Sequence, residues 1–93
     1  MGARQTIRGD VVQADTPDWK PLLDVAAELV DDFMWMYEIR LQDGRRVHAY
    51  KHIDTRGYAH LGGTGEAFRY AGGSSYEPVD LAELLRRVVE SPR

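Results

Sequence analysis

The chain has 93 residues, of which 43% are hydrophobic and 29% charged, with a formal net charge of −3. That length suits one hydrophobic core, and the composition is too apolar for a disordered chain. Cysteine is absent, which excludes disulfides, thiolate catalysis and cysteine-based zinc sites.

Met1 to Gln13 lacks the apolar core of a signal peptide, and no apolar run in the sequence is long enough to cross a bilayer as a helix. A cytoplasmic protein without membrane contact is the expectation. Charge is uneven along the chain: residues 9–38 are strongly acidic and residues 39–56 basic. The acidic balance overall argues against a generic nucleic-acid binder.

Residues 1–17 show no sustained periodicity and read as a partly ordered tail before a single α+β domain over 18–93. Ile7, Val11 and Val12 around Gly9 also fit a short added strand. Asp18 can cap a helix starting near Trp19, with Pro21 tolerated in the first turn because its missing N–H has no partner to lose. Leu22, Val25, Ala26, Leu29, Val30 and Phe33 then recur at helical spacing.

At Phe33 the period changes from helical to two. Phe33, Trp35, Tyr37, Ile39 and Leu41 alternate with Met34, Met36, Glu38, Arg40 and Gln42, and beyond Gln42-Asp43-Gly44 the alternation resumes through Val47, Ala49, Lys51 and Ile53. A three-residue loop with Gly44 left-handed sets Ile39 opposite Val47, Tyr37 opposite Ala49 and Phe33 opposite Ile53. Only that register collects the apolar side chains on one face. Shorter strands follow at Tyr58–Leu61, Ala67–Tyr70 and Tyr76–Val79. Asp80 then caps a C-terminal helix carrying Leu81, Leu84, Leu85, Val88 and Val89 on one stripe, ended by Ser91-Pro92. The expected architecture is an antiparallel β-meander of about five strands, with an N-terminal and a C-terminal helix packed on one face.

The opposite face of the hairpin is the candidate working surface. It presents Met34, Met36, Glu38 and Arg40 beside Arg46, His48, Tyr50 and His52. Methionine, tyrosine and arginine are adaptable or anchoring contact residues. The leading expectation is therefore a noncatalytic binding or regulatory module that engages a protein partner, or a second copy of itself, through this exposed face. A nucleic-acid platform built from Arg40, Arg45, Arg46, Lys51, Arg56 and Tyr50 is the second reading. A small enzyme using Glu38 and His48 as an acid–base pair is the third, since a carboxylate beside imidazole orients the ring and raises its basicity.

No cofactor or metal is expected. His48 and His52 have the spacing of a helical metal pair, but on a strand four residues span roughly 13 Å, too far to share one ion. The glycines of Gly62-Gly63-Thr64-Gly65 lack the lysine and following helix of a phosphate loop and read as a turn. Lys51, on the apolar side of the hairpin, is expected to lie over Trp35 and reach Asp31 or Asp32.

Overall fold

The computed structural model describes residues 5–14 and 16–90. Strands β1 (Ile7–Val12), β2 (Phe33–Leu41), β3 (Arg46–His52), β4 (Tyr58–Gly62), β5 (Ala67–Gly72) and β6 (Ser75–Val79) form a closed antiparallel barrel in chain order. Helix α1 (Lys20–Ala26), extended by a 3-10 helix over Ala27–Asp32, joins β1 to β2, and α2 (Leu81–Glu90) follows β6. The α+β class and the antiparallel sheet agree with the sequence reading; the open five-stranded meander does not. The segment read as a tail supplies the sixth strand. An open meander leaves β2 and β6 as edges with unpaired backbone groups. Strand β1 satisfies both, with Gly9 opposite Leu41 and Val11 opposite Ile39 on one side and Ile7 opposite Tyr76 on the other.

Closure depends on a glycine. A Cβ at Gly9 would meet Ile39 Cγ2 at 2.8 Å and Leu41 Cδ2 at 2.9 Å, so β1 can lie against the barrel wall only without a side chain at that position. Gly9→Val is expected to destabilise by about 1–3 kcal/mol through overpacking, read as a lowered denaturation midpoint. An unchanged midpoint would mean that β1 does not seat there.

The β2–β3 hairpin has the three-residue loop expected of it. Gly44 has φ 95°, its N–H donates to the Leu41 carbonyl at 2.9 Å, and the Leu41 N–H donates to the Arg45 carbonyl at 2.8 Å. Ile39 faces Val47, Glu38 faces His48 and Tyr37 faces Ala49, but a bulge at Met36 then shifts the register, so that Trp35 faces Tyr50 and Phe33 faces His52. The inserted residue turns Phe33 and Trp35 to the face opposite Tyr37, Ile39 and Leu41.

Two cores result. Inside the barrel lie Ile39, Leu41, Val47, Ala49, Phe68 and Tyr76. On its outer wall Phe33, Tyr50, Ala59, Leu61 and Ala67 pack under Leu22 and Ala26 of α1 and Leu84 and Val88 of α2. The second helix is capped as its sequence implies, Asp80 Oδ2 accepting from the Glu83 N–H at 3.0 Å; the first has Trp19 at its cap position, with no side-chain capping bond, and the preceding Asp18 Oδ1 accepts from the Lys20 N–H at 3.0 Å. The first helix is not continuous to Phe33. It breaks at Ala26 (φ −156°, ψ 57°), and the Asp32 carbonyl at the end of the 3-10 segment is taken by the Ile53 N–H at 2.9 Å. Ser91 and Pro92, expected to end α2, lie outside the described residues. Among those residues no helix is long and apolar enough to cross a membrane.

Candidate functional site

The hairpin face expected to stand open is a second packed layer. Closing the sheet encloses the Ile39–Val47 face, so the apolar stripes of the two helices can seat only on the outside, over the side chains expected at the surface. Tyr50 is 0% exposed. Its ring lies 5.5 Å from that of Trp19 and its hydroxyl donates to the Asp18 carbonyl. Glu38, His48 and His52 are buried as well. Met34, Arg40 and Arg46 stay exposed, and Met36 is half-buried.

The buried histidines of this layer serve the fold. Trp35 Nε1 donates to His48 Nδ1 at 3.0 Å, and His48 Nε2 lies 3.7 Å from Asp18 Oδ2. His52 Nδ1 accepts from the backbone N–H groups of Asp54 and Thr55, at 3.2 Å each. Glu38 and His48 are cross-strand neighbours, yet their side chains do not bond. Glu38 Oε2 is buried without a hydrogen bond, 3.6 Å from Arg46 Nε and 3.8 Å from Arg40. The acid–base pair is therefore not assembled.

The basic residues of the hairpin have partners within the chain. Arg40 and Arg46 face Glu38. Arg45 bonds Asp43 at 2.8 Å and Glu66 at 3.3 Å and lies over the Phe68 ring. Lys51 sits over Tyr58, 5.9 Å from the ring centroid, and not over Trp35 as the sequence implied. Four of the cations of the nucleic-acid reading, Arg40, Arg45, Arg46 and Lys51, are thus engaged within the chain.

A different constellation forms at the end of the barrel where the β5–β6 turn lies. Inward-facing positions of β2, β4, β5 and β6 bring Tyr37, Tyr58, His60, Tyr70 and Tyr76 around a cavity of about 400 Å³, with Gly9 and Val11 of β1 at its wall. Alternation along β4 explains part of this: Ala59 and Leu61 face the helices, so Tyr58 and His60 must face the interior. The rings form a continuous series. Tyr37 and Tyr58 have centroids 6.4 Å apart, Tyr58 and His60 stack at 5.9 Å, His60 meets Tyr76 edge-on at 5.4 Å, and Tyr76 meets Tyr70 at 5.4 Å. The Tyr70 hydroxyl accepts from the Ser74 N–H at 3.3 Å, which ties its ring to the turn.

His60 is 4% exposed, and its Nδ1 is buried with no hydrogen-bond partner among the described residues. Burial pushes its pKa down to about 4, so the ring is neutral at neutral pH. Burial first, and then the neighbouring phenols Tyr58 and Tyr70, hold the Tyr37 hydroxyl above its ordinary range. Tyr76 is raised by burial, then by Tyr37, Tyr70 and Asp10. Such a cavity is concave, largely aromatic and edged by a few polar atoms, the features of a small-molecule site.

None of these five rings was among the expected site residues. Tyr37 read as part of the hairpin's apolar face. The signal available was the shared parity of Tyr58 and His60 and the position of Tyr70 and Tyr76 on either side of a turn, but it becomes a site only when β1 closes the barrel.

Fold and site together define a closed antiparallel barrel with an aromatic cavity at one end. Compared with known protein families, with curated proteins and with solved structures, the chain matches none.

Proposed function

We propose that this protein is a noncatalytic binding module that takes a small organic ligand in the tyrosine-lined end of its barrel. A noncatalytic binding module is also what the hairpin residues suggested, but the partner changes from a protein or a second copy to a small ligand, and the place moves from the hairpin's outer face to the barrel's interior. The observation that carries the reading is His60, which lines a cavity of about 400 Å³ and whose buried Nδ1 has no hydrogen-bond partner among the described residues. An unsatisfied buried polar group costs about 1–3 kcal/mol, and a ligand that bonds it recovers that cost. The absence of cysteine fits a reducing cytoplasm as the place of action.

Titration with a panel of small organic molecules, followed by amide NMR, tests the reading. Saturable shifts are expected at Gly9, Val11, His60 and Ser74. Tyr70 is half-exposed, so Tyr70→Ala should leave stability within about 0.5 kcal/mol of the parent and weaken binding by about tenfold or more. Shifts confined to Met34, Arg40 and Arg46, or none across the panel, would contradict the proposal.

A further inference from the structure

We infer that the cavity recognises an uncharged aromatic molecule bearing a carbonyl-type acceptor, its ring packed among the tyrosines and its oxygen taken by the phenol hydroxyls that line the wall. The inference rests on the cavity being a binding site and adds the chemistry of what it takes. Of the four tyrosines around it, Tyr70 is tied to the turn through the Ser74 N–H. The hydroxyls of Tyr37, Tyr58 and Tyr76 bond no group among the described residues. Each is therefore an unclaimed O–H donor, and a ligand oxygen enclosed beside them supplies the acceptor they lose when water leaves.

The walls offer a charged ligand no compensation. Gly9 holds an inward position, since a Cβ there would meet Ile39, Leu41 and Tyr76 of the inner core, so the neighbouring Asp10 points its carboxylate to the outer wall, opposite the exposed Arg40. No lysine or arginine lines the cavity, and burial keeps His60 neutral near pH 7. A cation would meet the Lys51 ammonium, which lies 5.9 Å from the Tyr58 ring centroid and already takes the negative face of that ring. An anion is opposed as well: burial holds the Tyr37 and Tyr76 phenols above their ordinary range, and surroundings that resist a phenolate resist a carboxylate placed beside it. A flat neutral ring finds both of the contacts that aromatic pairs prefer. Tyr58 and His60 lie within 16° of parallel and Tyr70 and Tyr76 meet at 59°, so a bound ring can stack on one wall and meet another edge-on.

The test uses the full chain and four probes of similar size. Acetophenone carries the acceptor, α-methylstyrene has a CH₂ group in place of the carbonyl oxygen, and benzoate and benzylammonium bring the two charges. In amide NMR titrations at pH 7 acetophenone is expected to bind about fivefold more tightly than α-methylstyrene, although the hydrocarbon is the more hydrophobic of the two. Both ions should bind about tenfold more weakly than acetophenone, or worse. Tyr37→Phe, Tyr58→Phe and Tyr76→Phe keep every ring and remove one hydroxyl each; at least one should cut the acetophenone affinity about threefold or more while leaving α-methylstyrene unchanged. Equal or tighter binding of α-methylstyrene, or retention of the acetophenone preference in all three variants, would overturn the acceptor assignment. Tighter binding of benzoate or benzylammonium would overturn the assignment of an uncharged ligand. Failure of all four probes where other members of the organic panel bind would overturn the inference as a whole. Failure of every molecule at the cavity would overturn the binding reading itself.

Discussion

Replacing Tyr50 by alanine is expected to destabilise the protein by about 3–5 kcal/mol, the range for removing a large aromatic from a packed core. The side chain is fully buried between the outer wall of the barrel and α1, with its ring against Trp19, so its loss leaves a cavity that the helix cannot easily fill. Burial, with the nearby Asp18 carboxylate, raises its phenol, which keeps the hydroxyl protonated as a donor to the Asp18 carbonyl. Tyr50→Phe removes only that bond and should cost about 0.5–1.5 kcal/mol. Chemical denaturation of the two variants checks both numbers. A loss below about 1 kcal/mol for the alanine variant would return Tyr50 to the surface, where the alternation of the hairpin alone would put it.

The second large effect is one of pH. His60 has its pKa lowered from 6.5 to about 4 by burial, so between those values the unfolded chain binds a proton that the folded chain does not. Stability therefore falls as pH falls from 6.5 towards 4, and is constant in this respect above 6.5. The shift corresponds to a loss on the order of 3 kcal/mol. His60→Phe removes the proton site while keeping a ring between Tyr58 and Tyr76. Unfolding free energies at pH 7 and pH 4 should show the parent losing on the order of 3 kcal/mol more than the variant. His48 and His52, present in both, cancel from the difference. Parallel losses would mean that His60 is solvated or paired in the folded state.

Local rules carried the sequence reading a long way. The hairpin loop, the register from Tyr37 to Arg40, the capping of α2 by Asp80 and the three short strands all follow from turn chemistry and periodicity that neighbouring residues determine. The bulge at Met36 does not, because alternation runs unbroken through Phe33, Trp35 and Tyr37 and gives no sign that one residue is inserted. Its consequence is large: Phe33 and Trp35 join the outer core instead of the inner one. Closure was hidden for a related reason. Ile7, Val11 and Val12 are a faint strand signal, and what makes β1 decisive is the pair of edges it meets, β2 and β6, far away in sequence.

The site was lost with those two steps. Reading the sheet as open assigns one face to the core and the other to solvent, which makes Glu38, His48, Tyr50 and His52 a surface. In a barrel carrying helices both faces are covered, and the candidate opening is the end of the cylinder, where side chains from five strands meet. No pair of residues close in sequence announces that meeting. Tyr37 and Tyr76 are brought together by β1, which pairs with the strands of both.

A crystal structure of the protein with the tightest-binding member of the NMR panel tests the central claim most directly. The account predicts ligand density enclosed by Tyr37, Tyr70 and Tyr76, with a ligand polar atom within hydrogen-bonding distance of His60 Nδ1. Density seated instead on the outer surface beside Met34 and Arg46, with the His60 nitrogen bonded to another protein group and the cavity filled by side chains, would contradict it.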